Sequence, residues 1–193
     1  MYAEHVPLLT LHGQTPSGFA DIVTFAIATQ SQRFYNVKLL LSRVHTDGLS
    51  ACTMLRGRQK AGILHTHNAA EDLLPLPPCP FQALRTLLEI PAIGIVKAGF
   101  ILQMLGYQVG CLDMHNLRIA GLSRRAFDGI PTSTEGLTHK LQTYLDTCHA
   151  LGGAGYLWNQ WCRVIAFTYP KHFASAYSVS AYHVDCIIRK VMA

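Results

Sequence analysis

Apolar residues recur every three or four positions along nearly the whole chain, and no run alternates apolar with polar. That period suits helices that bury one face and does not suit half-buried strands, so the expected class is all-α. Phe19, Ile22, Val23, Phe25, Ala26 and Ile27 describe a helix over 19–29 that is buried around most of its circumference. Further helical segments are expected at 35–44, 49–55 and 61–73, with Thr46-Asp-Gly48 as a stop. Leu74-Pro-Leu-Pro-Pro-Cys-Pro80 then places four prolines in six residues, which forbids a helix and marks an extended crossing. Beyond it, helices fit 81–90 and 95–105, flanking the turn Pro91-Ala-Ile-Gly94 and forming a hairpin at about 81–106. A short helix opens at Asp113 and runs to 122, and longer ones fit 138–151, 156–167 and 178–192.

Half of the 193 residues are hydrophobic and 14% are charged, which excludes a disordered or acidic-tail protein. The chain suffices for one domain over 1–193, or for two helical lobes sharing a cleft. Its formal charge of +5 favours polyanionic partners such as nucleic acid. Cys52, Cys79, Cys111, Cys148, Cys162 and Cys186 form no Cys-x-x-Cys pair and are expected to be reduced thiols. The start, Met1-Tyr-Ala-Glu-His5, has no basic or apolar leader, and no apolar stretch is long enough to span a bilayer. An intracellular location is expected, in cytoplasm, nucleoid or virion, without a membrane partner. His65-Thr-His67 lacks a third ligand, so neither a metal site nor a cofactor is expected.

The stretch Leu88-Glu-Ile-Pro-Ala-Ile-Gly-Ile-Val-Lys-Ala98 resembles the hairpin of the helix-hairpin-helix DNA glycosylases, an endonuclease III-like superfamily. The family pattern is leucine, Pro-Gly, an aliphatic residue, Gly, three variable positions and Ala. Pro91, Ile93, Gly94 and Ala98 match it, and Ile90 stands at the leucine position. Such a turn aims free N–H groups at the start of a helix towards a phosphate, where the helix dipole favours an anion. The resemblance therefore implies a two-lobed helical glycosylase-like fold. It also implies double-stranded DNA held through phosphate contacts at Pro91, Ala92, Ile93 and Gly94, with Lys97 beside them. Ala92 replaces the family's first glycine, a residue used where the backbone needs positive φ or a close approach.

Downstream, Asp113-Met-His115-Asn-Leu-Arg118 resembles the family's segment of Asp, any residue, His, two residues and Arg. The resemblance makes Asp113 the catalytic carboxylate, supporting departure of a base, with His115 and Arg118 at the DNA. Asp is also a favoured N-cap, and one carboxylate can serve both roles. The segment from Asp21 to Gln32 resembles the family's first core helix and the turn that ends it. Gln30 takes the position that approaches the gap left by a rotated-out nucleotide. Leu55-Arg-Gly-Arg-Gln-Lys-Ala-Gly-Ile63 is similar to the helix opening before the hairpin, and Arg56, Arg58 and Lys60 suit phosphates if they face the cleft.

Two family features are missing. The nucleophilic lysine of bifunctional members falls at Val96, and Lys97, one residue later, is turned by about 100° around the helix. The four closely spaced C-terminal cysteines of an iron–sulfur cluster are absent, only Cys186 lying near the end. Trp158 and Trp161 read as core or cleft-wall residues. The expected function is a monofunctional N-glycosylase in which water attacks the sugar. Two alternatives stay open: a non-catalytic DNA-binding or nucleoprotein component, and a base-modifying enzyme on the same fold.

Overall fold

A computed structural model of the chain describes residues 1–30 and 33–188. Among the described residues there are ten α-helices, one short 3₁₀ turn and no strand, so the protein is all-α.

Helix α1 (Tyr2–His12) lies where the sequence suggested no helix. It buries only His5, Val6 and Leu9, and Pro7 inside it masks the pattern. Helix α2 (Pro16–Ala28) begins earlier than its apolar run, because Thr15 Oγ1 accepts from the Gly18 N–H (3.1 Å) and Pro16 occupies the first turn. Every residue of α2 from Gly18 to Ala28 is buried, including Asp21, which meets His12 Nε2 at 3.1 Å. Helix α3 (Val37–Ala51) follows the 3₁₀ turn Phe34–Asn36 and breaks where Gly48 takes φ +79°, at the expected stop. Helix α4 (Gly57–Leu73) starts ahead of its expected position because Gln59 Oε1 caps the Arg56 N–H (2.9 Å).

The proline-rich segment carries the chain to α5 (Pro80–Leu87), and a turn over 88–94 leads into α6 (Ile95–Met104). These two helices pack on each other, with Ile90, Ile93 and Ile95 buried between them and the rest of the core. Helix α7 (Met114–Ile119) is shorter than expected, whereas α8 (Thr134–Ala150) and α9 (Gly153–Thr168) both begin earlier than expected. Ser133 Oγ, accepting from the Gly136 N–H, supplies the start of α8. Helix α10 (Ala176–Ile187) is the last described helix, and residues 189–192 of the expected segment 178–192 lie outside the described residues.

Helix α2 is the hub, touching α1, α3, α4, α6 and α10, while α9 packs against α1, α7, α8 and α10. Two close approaches depend on missing side chains. A Cβ on Gly62 of α4 would lie 2.1 Å from the Pro91 carbonyl oxygen, so glycine lets the 88–94 turn settle on α4. A Cβ on Gly99 of α6 would lie 2.1 Å from the Tyr144 hydroxyl, so glycine admits that ring between α6 and α8.

One buried polar residue makes the packing sensitive to acid. His183 is fully buried against the rings of Phe25, Phe34, Phe100, Trp158 and Trp161. Its Nδ1 donates to the Val179 carbonyl (3.0 Å), and its Nε2 has no partner. Burial pushes its pKa down from 6.5 to about 3. A neutral buried histidine stabilises the fold above the unfolded value and withdraws that stability as pH falls towards the folded one. Each pH unit below about 6.5 costs about 1.4 kcal/mol. His183→Leu is expected to flatten the fall in Tm between pH 6.5 and 4, and parallel curves for parent and variant would contradict this assignment.

Candidate functional site

The site is built outward from four buried peptide groups. After α6 the chain runs without regular structure through Val109–Leu112, all buried, and these peptides need partners. The Tyr144 hydroxyl donates to the Gly110 carbonyl (2.8 Å) and accepts from the Leu112 N–H (3.1 Å). Gln103 Oε1 accepts from the Cys111 N–H (3.1 Å), and its Nε2 donates to the Ala154 carbonyl (2.7 Å). Asn116 Nδ2 donates to the Cys111 carbonyl (2.7 Å). Side chains from α6, α7 and α8 thus brace the segment that delivers Asp113 to the head of α7.

Asp113 is the N-cap of α7. Its Oδ1 accepts from the N–H groups of His115 and Asn116, each at 3.0 Å, and its Oδ2 accepts from Trp161 Nε1–H at 2.9 Å. Both oxygens are oriented, one by a helix start and one by an indole. The carboxylate lines a cleft of about 640 Å³ between the end of α2, α6 and α9. Gln30, Lys97, Asp113 and His115, singled out from sequence, meet in this cleft, as does Val96.

Lys97 enters the cleft despite its offset position. Its Nζ donates to Thr29 Oγ1 (2.6 Å) and lies 5.3 Å from the centre of the Phe100 ring. The Thr29 hydroxyl sends its own proton to the Ala26 carbonyl (2.8 Å), so a lone pair is free for the lysine. Burial lowers the Lys97 pKa, an effect that Cys111 and Asp113 oppose in part. No ion pair involves Lys97 among the described residues. Burial, and after it the Asp113 charge, pushes the Cys111 thiol up, so Cys111 sits in the cleft as a neutral thiol.

A second groove, of about 770 Å³, shares Gln30 with the cleft and is lined by Ala92, Ile93, Gly94, Arg56 and Arg58. Gly94 is the N-cap of α6 and makes no side-chain cap bond, so the helix start faces this groove without a competing acceptor from its own cap. Gln30 Nε2 donates to the Ala92 carbonyl (2.5 Å) and ties the end of α2 to the turn. Other expectations land elsewhere. The Ile93 side chain is buried and anchors the turn, and the Pro91 carbonyl rests against Gly62. Arg118 is exposed in the last turn of α7 and lines neither cavity, and Lys60 Nζ donates to the Ser50 carbonyl.

Trp161 lines the cleft wall as expected, but its bond to Asp113 carried no sequence signal. It is far from Asp113 in the chain, and no spacing rule connects an indole on α9 with a cap on α7. Arg33, Arg124 and Asp128 also line the cleft and carried no sequence signal. Among the described residues no three His, Cys, Asp or Glu side chains converge to hold a metal ion, and no helix is long and apolar enough to cross a membrane.

Ala92 has φ +68°, the only positive φ outside glycine among the described residues. The left-handed region costs an L-residue about 1–2 kcal/mol, and the chain bears this strain where the resembling family has glycine. Ala92→Gly is expected to raise stability by up to about 1 kcal/mol, the relief exceeding glycine's added unfolded-state entropy. Thermal melting checks this, and a lower Tm would show that Ala92 is unstrained. Compared with protein-family models, curated proteins and solved structures, the chain matches none.

Proposed function

We propose that the chain is a DNA N-glycosylase of the helix-hairpin-helix type, acting on a nucleotide rotated out of duplex DNA into the Asp113 cleft. The observation that carries this is the doubly anchored carboxylate of Asp113 at a cleft whose edge, at Gln30, opens onto the groove of Gly94, Arg56 and Arg58. A phosphate at that groove meets the start of α6 and two arginines, a combination that grips backbone without reading sequence. Gln30, bonded to the turn and shared by both cavities, stands where the vacated duplex position would be.

In the cleft, cleavage of the bond between sugar C1′ and the base nitrogen leaves positive charge on the sugar. The Asp113 carboxylate stabilises that charge, its geometry already set by three N–H donors. Water adds its oxygen to C1′, one proton goes to the departing base, and the products are a free base and an abasic sugar. The aromatic walls Phe100 and Trp161 suit the faces of an unstacked base.

One observation favours a second reading, in which the strand is also cut. The Lys97 amine lies in the same cleft with its pKa lowered by burial, the condition for attack on C1′ and imine formation. Borohydride reduces such an imine to a stable amine, so a covalent protein–DNA adduct lost in Lys97→Ala would select this reading over water attack.

Duplexes carrying different damaged or modified bases are expected to include one from which the protein releases base, with at least a hundredfold loss in Asp113→Asn and retained binding. Equal binding by both proteins with no release on any duplex would overturn the enzyme and leave a DNA-binding component. In the double variant Arg56→Ala, Arg58→Ala, the slope of log affinity against log salt is expected to fall by about 2. An unchanged slope would remove the phosphate grip.

A further inference from the structure

We propose that the cleft carries, on one rim, a stacking platform for single-stranded DNA, made by Tyr35 and His172 and flanked by Arg33 and Tyr169. This rests on the reading of the cleft as a nucleotide site, and it adds a second contact, to a single-stranded segment lying next to the cleft.

Tyr35 lies in the 3₁₀ turn before α3, and His172 lies in the loop after α9, so two distant segments supply one feature. Their rings are parallel within 9°, with centres 3.8 Å apart, and Tyr169 meets Tyr35 edge-on at 5.5 Å. Arg33 Nη1 donates to the Tyr35 hydroxyl (3.0 Å) and holds the ring in place. Arg33 and Tyr169 also line the Asp113 cleft, which makes the platform continuous with it. His172 and its neighbour Lys171 are exposed, so the imidazole face turned away from Tyr35 is open beside a cation.

The pair is not needed to hold its loop. Phe173, the next residue, is buried against Phe34 (5.7 Å) and Tyr182 (5.4 Å), and the His172 and Phe173 N–H groups both bond the Tyr169 carbonyl. Beyond that anchor the stacked pair, with Tyr35 half-buried and His172 exposed, offers a flat face next to positive charge. An unpaired base has a free π-face to lay on it, and its phosphate suits Arg33 and Lys171. A base inside a blunt duplex has both faces covered by its neighbours, so the platform selects single strand over duplex.

The test is a fluorescence-anisotropy titration of the whole chain with a labelled single-stranded oligodeoxynucleotide and with its blunt duplex. Parent, His172→Ala and His172→Trp are compared. The single strand is expected to bind about tenfold more weakly to His172→Ala and at least as tightly as parent to His172→Trp, with duplex affinity changed less than twofold. Single-strand affinity within twofold of parent in His172→Ala, no single-strand binding by the parent, or equal weakening of both probes would each overturn the platform. Base release assayed on the same preparations keeps the two ideas apart. Weakened single-strand binding without base release on any duplex retains the platform and removes the glycosylase, and base release with unchanged single-strand binding does the reverse.

Discussion

From Gly18 to Ala28, helix α2 has no solvent face. Burial of a side chain the size of Phe or Ile stabilises by about 1.5–3 kcal/mol, and α2 buries every residue from Gly18 to Ala28, so partners must close around it on all sides. They are α1, α3, α4, α6 and α10, drawn from both ends of the chain. Just past α2 the chain emerges from the core at one place. There Gln59 of α4 donates to the Ile27 carbonyl (3.3 Å), Thr29 accepts from Lys97, and Gln30 reaches the Ala92 carbonyl. The buried helix end and the two residues after it are tied down by side chains that line the cleft and its neighbouring groove, so core packing and site geometry are one construction.

The other wall follows from a different economy. Four buried peptide groups at 109–112 are met by Tyr144, Gln103 and Asn116, and this rigid segment ends at Asp113. A cap that holds its oxygens with backbone donors and an indole pays its ordering cost during folding. In the proposed reaction the carboxylate would meet developing positive charge without rearranging. Against this, the turn at Ala92 carries backbone strain, held by the bond from Gln30 and by the seat that Gly62 leaves for Pro91. Strain at the turn and pre-set geometry at the carboxylate suit the proposed role on a distorted duplex.

The helical class was legible because burial on one face imposes a three-to-four-residue period, and Gly48 broke α3 where its sequence neighbourhood said it would. Helix starts were less legible, since Thr15 and Ser133 lie outside the apolar runs whose helices they cap. Pro7 hid α1 altogether. At the site, Ala92 in a glycine position left an altered turn open, yet the backbone keeps positive φ there, and Asp113 before a helical run announced a cap. The Trp161 contact and the platform of Tyr35 and His172 depend on tertiary approach of distant segments, which no local pattern encodes. Lys97 shows the limit from the other side. A helical offset of about 100° turns the Cα–Cβ bond, but a long flexible side chain still brought its amine to Thr29 and the cleft.

The most direct test of the account is whether a nucleotide leaves the duplex and enters the cleft on binding. A duplex carrying 2-aminopurine, whose fluorescence rises when it is unstacked, titrated with the Asp113→Asn protein, reads that event without cleavage. A fluorescence increase that saturates with binding and is abolished in the Arg56→Ala, Arg58→Ala variant is the predicted result. Saturated binding with the base still quenched in its stack would contradict it.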